Sequence, residues 1–178
     1  MPLKKHLFTG WLLLTSATVS AADPIAGTLF EKVAAEKGLD PVLLYSVAMA
    51  ESGFKPTGSS QPKPWPWTIA HKDGAFFGNT RTDAERELNR LAGQDIQSID
   101  IGLMQINTVW HAKNRSNRAL LDPETNLKLG ADILKNALKS AHGNWLIGIG
   151  RYNSWTNKET QAKYAVRVLK IYRTLKEN

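Results

Sequence analysis

Apolar positions along this chain fall mostly at helical spacing. In residues 24–37, Ile25, Leu29, Val33 and Ala34 recur at intervals that keep them on one face of a helix. Gly38 follows, where a glycine commonly ends a helix. Asp40-Pro41 then reads as N-cap and first residue of a second helix over residues 41–52. Val42, Leu43, Leu44, Val47, Ala48 and Met49 make that helix apolar nearly all round, which predicts a buried central element with Glu51 near its end. Residues 55–67 are rich in Pro, Ser, Gly and Trp and are predicted to be irregular. Residues 67–70 and 75–78 flank Asp73-Gly74, a hairpin signal. Thr82 and Glu85 have the spacing of a capping box for a polar helix to Leu91. Asp122-Pro123-Glu124 opens another helix, carrying Leu127, Ala131, Leu134 and Leu138 along one face. Residues 144–152 are predicted to form a short buried helix. Residues 158–175 form the last, with Ala165, Val168, Leu169 and Tyr172 inward. The pattern describes a mainly α fold with a small β-hairpin insert at about residues 57–98.

The N-terminal residues 1–22 have a different character. Lys4 and Lys5 precede a short apolar stretch from Leu7 to Val19, and Ser20-Ala21-Ala22 supplies small residues for cleavage. This is the pattern of a secretory signal peptide. A retained membrane anchor is the other reading, but Thr9, Gly10, Thr15, Ser16 and Thr18 interrupt the stretch, and a span needs about 20 apolar residues. Residues 23–178 are the length of a single domain. The sequence has no cysteine, which rules out disulfides and a thiolate nucleophile. His71, His111 and His142 lack ligand spacing, so no metal or other cofactor is expected. The net charge is +7, but Lys and Arg are scattered and no nucleic-acid motif is present, so nucleic acid is not an expected partner.

Three clusters carry candidate chemistry. Glu51 sits on an apolar helix, where desolvation favours the neutral carboxyl, the form a general acid needs. Its alternative is a surface glutamate at a frayed helix end. In residues 101–107, Gly102 permits close approach of backbone or ligand, beside Met104, and the amides Gln105 and Asn107 suit neutral sugar hydroxyls and acetamides. A core segment with two satisfied amides is the alternative there. Tyr152 and Asn153 form a pair able to stack on and hydrogen-bond a sugar ring, or else an interior tyrosine bonded to a neighbour. Trp110-His111 is expected to pack rather than react.

Glu51-Ser52-Gly53-Phe54-Lys55-Pro56, then Gly102-Leu103-Met104-Gln105, then Tyr152-Asn153, in that order, resembles the soluble lytic transglycosylase family. That resemblance implies a lysozyme-like, goose-type helical catalytic domain and peptidoglycan glycan strands as substrate. It implies non-hydrolytic cleavage between N-acetylmuramic acid and N-acetylglucosamine, leaving 1,6-anhydromuramic ends. Glu51 would be the single catalytic acid and base. Ser52 would hydrogen-bond near the muramic group, and Gly102, Met104, Gln105, Tyr152 and Asn153 would shape the cleft. The sequence departs from the family pattern at Arg151, where Ala is usual, and at Trp155, where Gly often follows. Pro64-Trp65-Pro66-Trp67 with the following hairpin resembles the subgroup associated with conjugation, type IV secretion or pilus systems, which implies a periplasmic enzyme working with such components. Trp65 and Trp67 would stack on sugars or a peptide stem, or belong to the core. Two other functions stand beside this one. The first is a lysozyme-type muramidase, for which Asp100 is the only second carboxylate in a suggestive position. The second is an inactive peptidoglycan-binding assembly module.

Overall fold

Aspartate before proline starts two of the helices, because the carboxylate satisfies free N–H groups that the proline does not add to. Asp40 Oδ1 accepts from the N–H groups of Val42 and Leu43 at 2.7 and 3.0 Å, and α2 runs Pro41–Ser52. Asp122 accepts from Thr125 N–H at 2.8 Å and opens α4, Pro123–Ser140. The computed structural model describes residues 25–111 and 115–177. The expected signal segment, residues 1–22, lies outside the described residues.

Helix α1 is Leu29–Lys37, five residues shorter at its start than the periodicity predicts. Gly27 has φ 71°, and Thr28 turns back to donate to Ile25 O at 2.6 Å before capping the helix. Ile25 is nonetheless buried, so its apolar character reflects packing from a turn rather than from a helix. Two short strands follow α2, β1 Gly53–Phe54 and β2 Lys63–Pro64, paired antiparallel. The predicted hairpin is present as β3 Thr68–His71 and β4 Gly74–Phe77. His71 pairs with Gly74, so the two-residue loop is Lys72-Asp73, one position earlier than expected.

Helix α3, Arg81–Gly93, is also capped earlier than predicted. Thr80 and Asp83 form the capping box, with Thr80 N–H donating to Asp83 Oδ2 at 2.9 Å, while Glu85 accepts from Arg81 Nε at 3.0 Å. Two strands the periodicity did not reveal, β5 Asp100–Ile101 and β6 Ile106–Asn107, join the hairpin in a sheet of order β4-β3-β5-β6. Segment 57–98 is thus built into the fold. Ile69 pairs with Ile101, and Ile69, Leu88 and Leu91 are core residues. Trp65 and Trp67 belong to an aromatic cluster: Trp65 donates from Nε1 to Gly78 O at 2.6 Å and meets Trp67 edge-on at 5.5 Å.

After a 3-10 turn, Asn117–Leu121, and α4 come α5, Trp145–Asn153, and α6, Lys158–Glu177. Helix α5 is not buried throughout. Gly148 and Gly150 let it pack closely, since an added Cβ would stand 2.8 Å from Leu138 of α4 and 2.7 Å from Gln161 of α6, whereas Trp145, Leu146 and Ile147 are exposed. The result is a mainly helical fold with two small antiparallel sheets. Among the described residues, no helix is long and apolar enough to cross a membrane.

One buried side chain joins the sheet to the helices. Asn126 on α4 donates from Nδ2 to Ile101 O at 2.7 Å and to Leu120 O at 2.9 Å, and its Oδ1 accepts from Met104 N–H at 2.8 Å. Replacing it by Leu keeps the volume and leaves these buried backbone groups unpaired, each at a cost of about 1–3 kcal/mol. Asn126→Leu is expected to lower unfolding free energy by roughly 3 kcal/mol or more in chemical denaturation.

Candidate active site

The loop between β5 and β6 is the four-residue stretch Gly102 to Gln105. Gly102 has φ 81°, and a Cβ there would lie 2.4 Å from Asn126 Nδ2, so no other residue fits. Met104 is fully buried and packs where Gly130 leaves room: a Cβ on Gly130 would meet it at 2.4 Å. Gln105 takes φ 44°, and its Nε2 donates back to Gly102 O at 2.9 Å. The turn is therefore held tightly on α4, with Gln105 at its exit.

The other sequence clusters close on the same turn. Ser52 Oγ donates to Leu103 O at 2.8 Å and accepts from Trp65 N–H at 3.2 Å. Tyr152 Oη donates to Met104 O at 2.7 Å. Glu51, Gln105, Tyr152 and Asn153 line one cavity of about 490 Å³, together with Asp100 and Asn107. Ser52, Gly102 and Met104 do not line it. They are buried beneath it and hold the turn, which differs from the expectation that Ser52 faces the muramic group.

Glu51 is the electrostatic centre. Burial pushes its carboxyl up to about 7, against the opposing influence of a hydrogen bond from Tyr164 and the positive charge of Arg167; Asp100 adds slightly to the rise. Tyr164 Oη donates to Glu51 Oε1 at 2.5 Å, and Arg167 donates to Ala50 O, one residue before Glu51. Burial and the neighbouring Glu51 hold the phenols of Tyr152 and Tyr164 well above their ordinary range, so both stay protonated as donors. Their rings lie nearly parallel, 6.3 Å apart. A carboxyl titrating near neutrality can give and retake a proton, which is what an acid/base residue must do.

The family model for the transglycosylase SLT domain matches residues 28–173. The chain belongs to that family. No curated protein and no solved structure matches significantly. Membership supports a lytic-transglycosylase-type activity on peptidoglycan.

Within this SLT domain, sequence reasoning missed Tyr164, Arg167 and Asn126. Tyr164 sits at an inward position of α6, two turns from Tyr172, and looks like any core aromatic until α6 is packed on α2. Asn126 lies in the apolar stripe of α4, and a buried amide there was the available signal. Trp110 and His111 do not pack away as expected. Both line the cavity, and Trp110 is 72% exposed. Asp100 lines the cavity too, accepting from Asn107 Nδ2 at 2.9 Å, with burial raising its carboxyl above its usual range. Arg151 has a structural explanation. Its Nη1 donates to Ser140 O and Oγ at 2.6 and 2.9 Å at the end of α4, and it stacks over Trp155 at 5.6 Å, outside the cavity.

The raised carboxyl has a cost in stability. Folded Glu51 holds its proton more tightly than in the unfolded chain, so its own contribution to stability is greatest at low pH, falls as pH rises from about 4.5 to about 7, and is level above. Glu51→Gln should therefore stabilise the fold by up to roughly 3 kcal/mol at about pH 8 and little at about pH 4. Denaturation curves at the two pH values check this. Tyr164→Phe removes a bond that favours the carboxylate. The titration midpoint of the Glu51 carboxyl, followed by NMR of its side-chain carbon, should then move to higher pH.

Proposed function

We propose that this SLT domain cleaves the β-1,4 bond between N-acetylmuramic acid and N-acetylglucosamine without water. The observation that carries the reading is Glu51, a single carboxyl held near neutrality in a cavity lined by the amides Gln105, Asn107 and Asn153. Protonated Glu51 gives its proton to the glycosidic oxygen as the bond to the muramic anomeric carbon breaks. The N-acetylglucosamine then leaves as an alcohol. The muramic C6 hydroxyl attacks the anomeric carbon and returns its proton to the Glu51 carboxylate, giving the 1,6-anhydro ring and regenerating the acid. The substrate acetamide supports the positive charge in between. Gln105 and Asn153 position the sugar, and Tyr152 and Tyr164 keep the turn and the carboxyl in place.

Asp100 favours a second reading. It shares the cavity with Glu51, and a second carboxylate is what a hydrolytic muramidase requires. On that reading the products carry reducing ends and Asp100→Asn abolishes activity.

The basic start, apolar stretch and small residues of segment 1–22 support export to the periplasm. The Pro-Trp-Pro-Trp segment and hairpin support a role in opening the wall locally for a conjugation, secretion or pilus machine.

Mass spectrometry of soluble products from purified peptidoglycan tests the reaction. Anhydromuropeptides are expected from the wild type and from Asp100→Asn, with a loss of about 10²–10⁴-fold in Glu51→Gln. Reducing muropeptides that vanish in Asp100→Asn would establish the muramidase instead. Products undiminished in Glu51→Gln would remove Glu51 from the chemistry.

A further inference from the structure

Five of the seven large exposed apolar side chains among the described residues stand together on α5, α6 and the link between them: Trp145, Leu146, Ile147, Trp155 and Val166. The other two, Val109 and Trp110, are consecutive, and Trp110 lines the catalytic cavity. Trp155 is 56% and Val166 61% exposed, an arrangement that costs free energy in water unless something covers it. Two hollows of about 460 Å³ each meet at Leu146, and none of their lining residues lines the catalytic cavity.

The charge around this patch is mostly positive. Arg151 and Lys158 border one hollow and Lys170 and Arg173 the other, with Glu177 the single acid in either lining. Helix α6 carries six cationic residues against two acids, Glu159 and Glu177. Glu159 is paired with Lys163. Arg167 turns inward to Ala50, whereas Lys158, Lys170 and Arg173 have no ion pair among the described residues.

Tryptophans and aliphatic side chains ringed by Lys and Arg suit the boundary between lipid headgroups and acyl chains. There apolar groups are buried shallowly while cations reach anionic headgroups. Charge argues against a second copy of this chain, because two such faces repel. Shape argues against one docked helix, which needs a continuous trough rather than two hollows divided at Leu146. We infer that the α5–α6 face is a docking surface for an anionic lipid bilayer. Trp145, Leu146, Ile147, Trp155 and Val166 enter the headgroup boundary, and Arg151, Lys158, Lys170 and Arg173 lie on the anionic headgroups.

Sedimentation with vesicles tests this on the full chain. The vesicles are phosphatidylglycerol mixed with phosphatidylcholine, or phosphatidylcholine alone. The proteins are wild type, Lys170→Glu/Arg173→Glu, Leu146→Ser/Trp155→Ser, and Lys72→Glu/Lys139→Glu, which makes the same charge change on exposed residues elsewhere. Wild type should favour the anionic vesicles. Each surface double variant should lose about tenfold or more in partitioning, and the control clearly less. Circular dichroism and clearing of peptidoglycan in lipid-free solution should match wild type for all variants, which separates this result from any failure of the catalytic reading. Equal partitioning of all four proteins would assign binding to the apolar N-terminal stretch and overturn the proposal. A control loss as large as that of the surface variants would reduce the effect to net charge and overturn it equally. No binding to either vesicle would also overturn it and leave the face to a protein partner.

Discussion

A buried turn has backbone polar groups that water cannot reach, and each must find a partner inside the protein. Residues 102–105 form such a turn, and their partners come from three distant parts of the chain. Ser52 takes the Leu103 carbonyl, Tyr152 takes the Met104 carbonyl, and Asn126 takes the Met104 N–H. Satisfying this one turn brings the end of α2, the end of α5 and the sheet to a common point. The cavity forms where they meet, with Glu51 and Gln105 facing into it.

The same packing sets the state of Glu51. Helix α2 is surrounded by other elements, and α6 covers the carboxyl with Tyr164 and braces its backbone through Arg167 at Ala50. Desolvation dominates and raises the carboxyl to about 7, while Tyr164 and Arg167 keep it from rising further. A fully apolar pocket would hold the proton too tightly to give it up. A strong ion pair would discard it below neutrality. The mixture leaves a group that can do both halves of a proton-transfer cycle.

Much of the fold was legible because it rests on short-range rules. The Asp-Pro starts, the apolar face of α4 and the buried α2 all follow from local spacing. The errors have physical causes. Thr80 and Thr82 both precede an acid by three residues, and only the end of β4 decides which one caps α3. Strands β5 and β6 are two residues each and owe their existence to pairing with β3 and each other, which local pattern cannot register. At the site, Glu51, Gln105, Tyr152 and Asn153 were named from sequence and line the cavity, whereas Trp110 and His111 were expected to pack away, and the roles of Ser52, Gly102 and Met104 depend on which side of the turn is buried. Tyr164 is 113 positions from Glu51, and a contact of that range exists only once α6 is packed.

The central claim is that packing keeps Glu51 a proton-holding acid near neutral pH. Its most direct test is an NMR titration of the Glu51 side-chain carboxyl carbon in the wild-type protein, assigned by its loss in Glu51→Gln. Burial of the carboxyl predicts a midpoint of about 7. A midpoint near 4.5, the ordinary value for a solvated glutamate, would mean that the cavity leaves Glu51 in water and would contradict the claim.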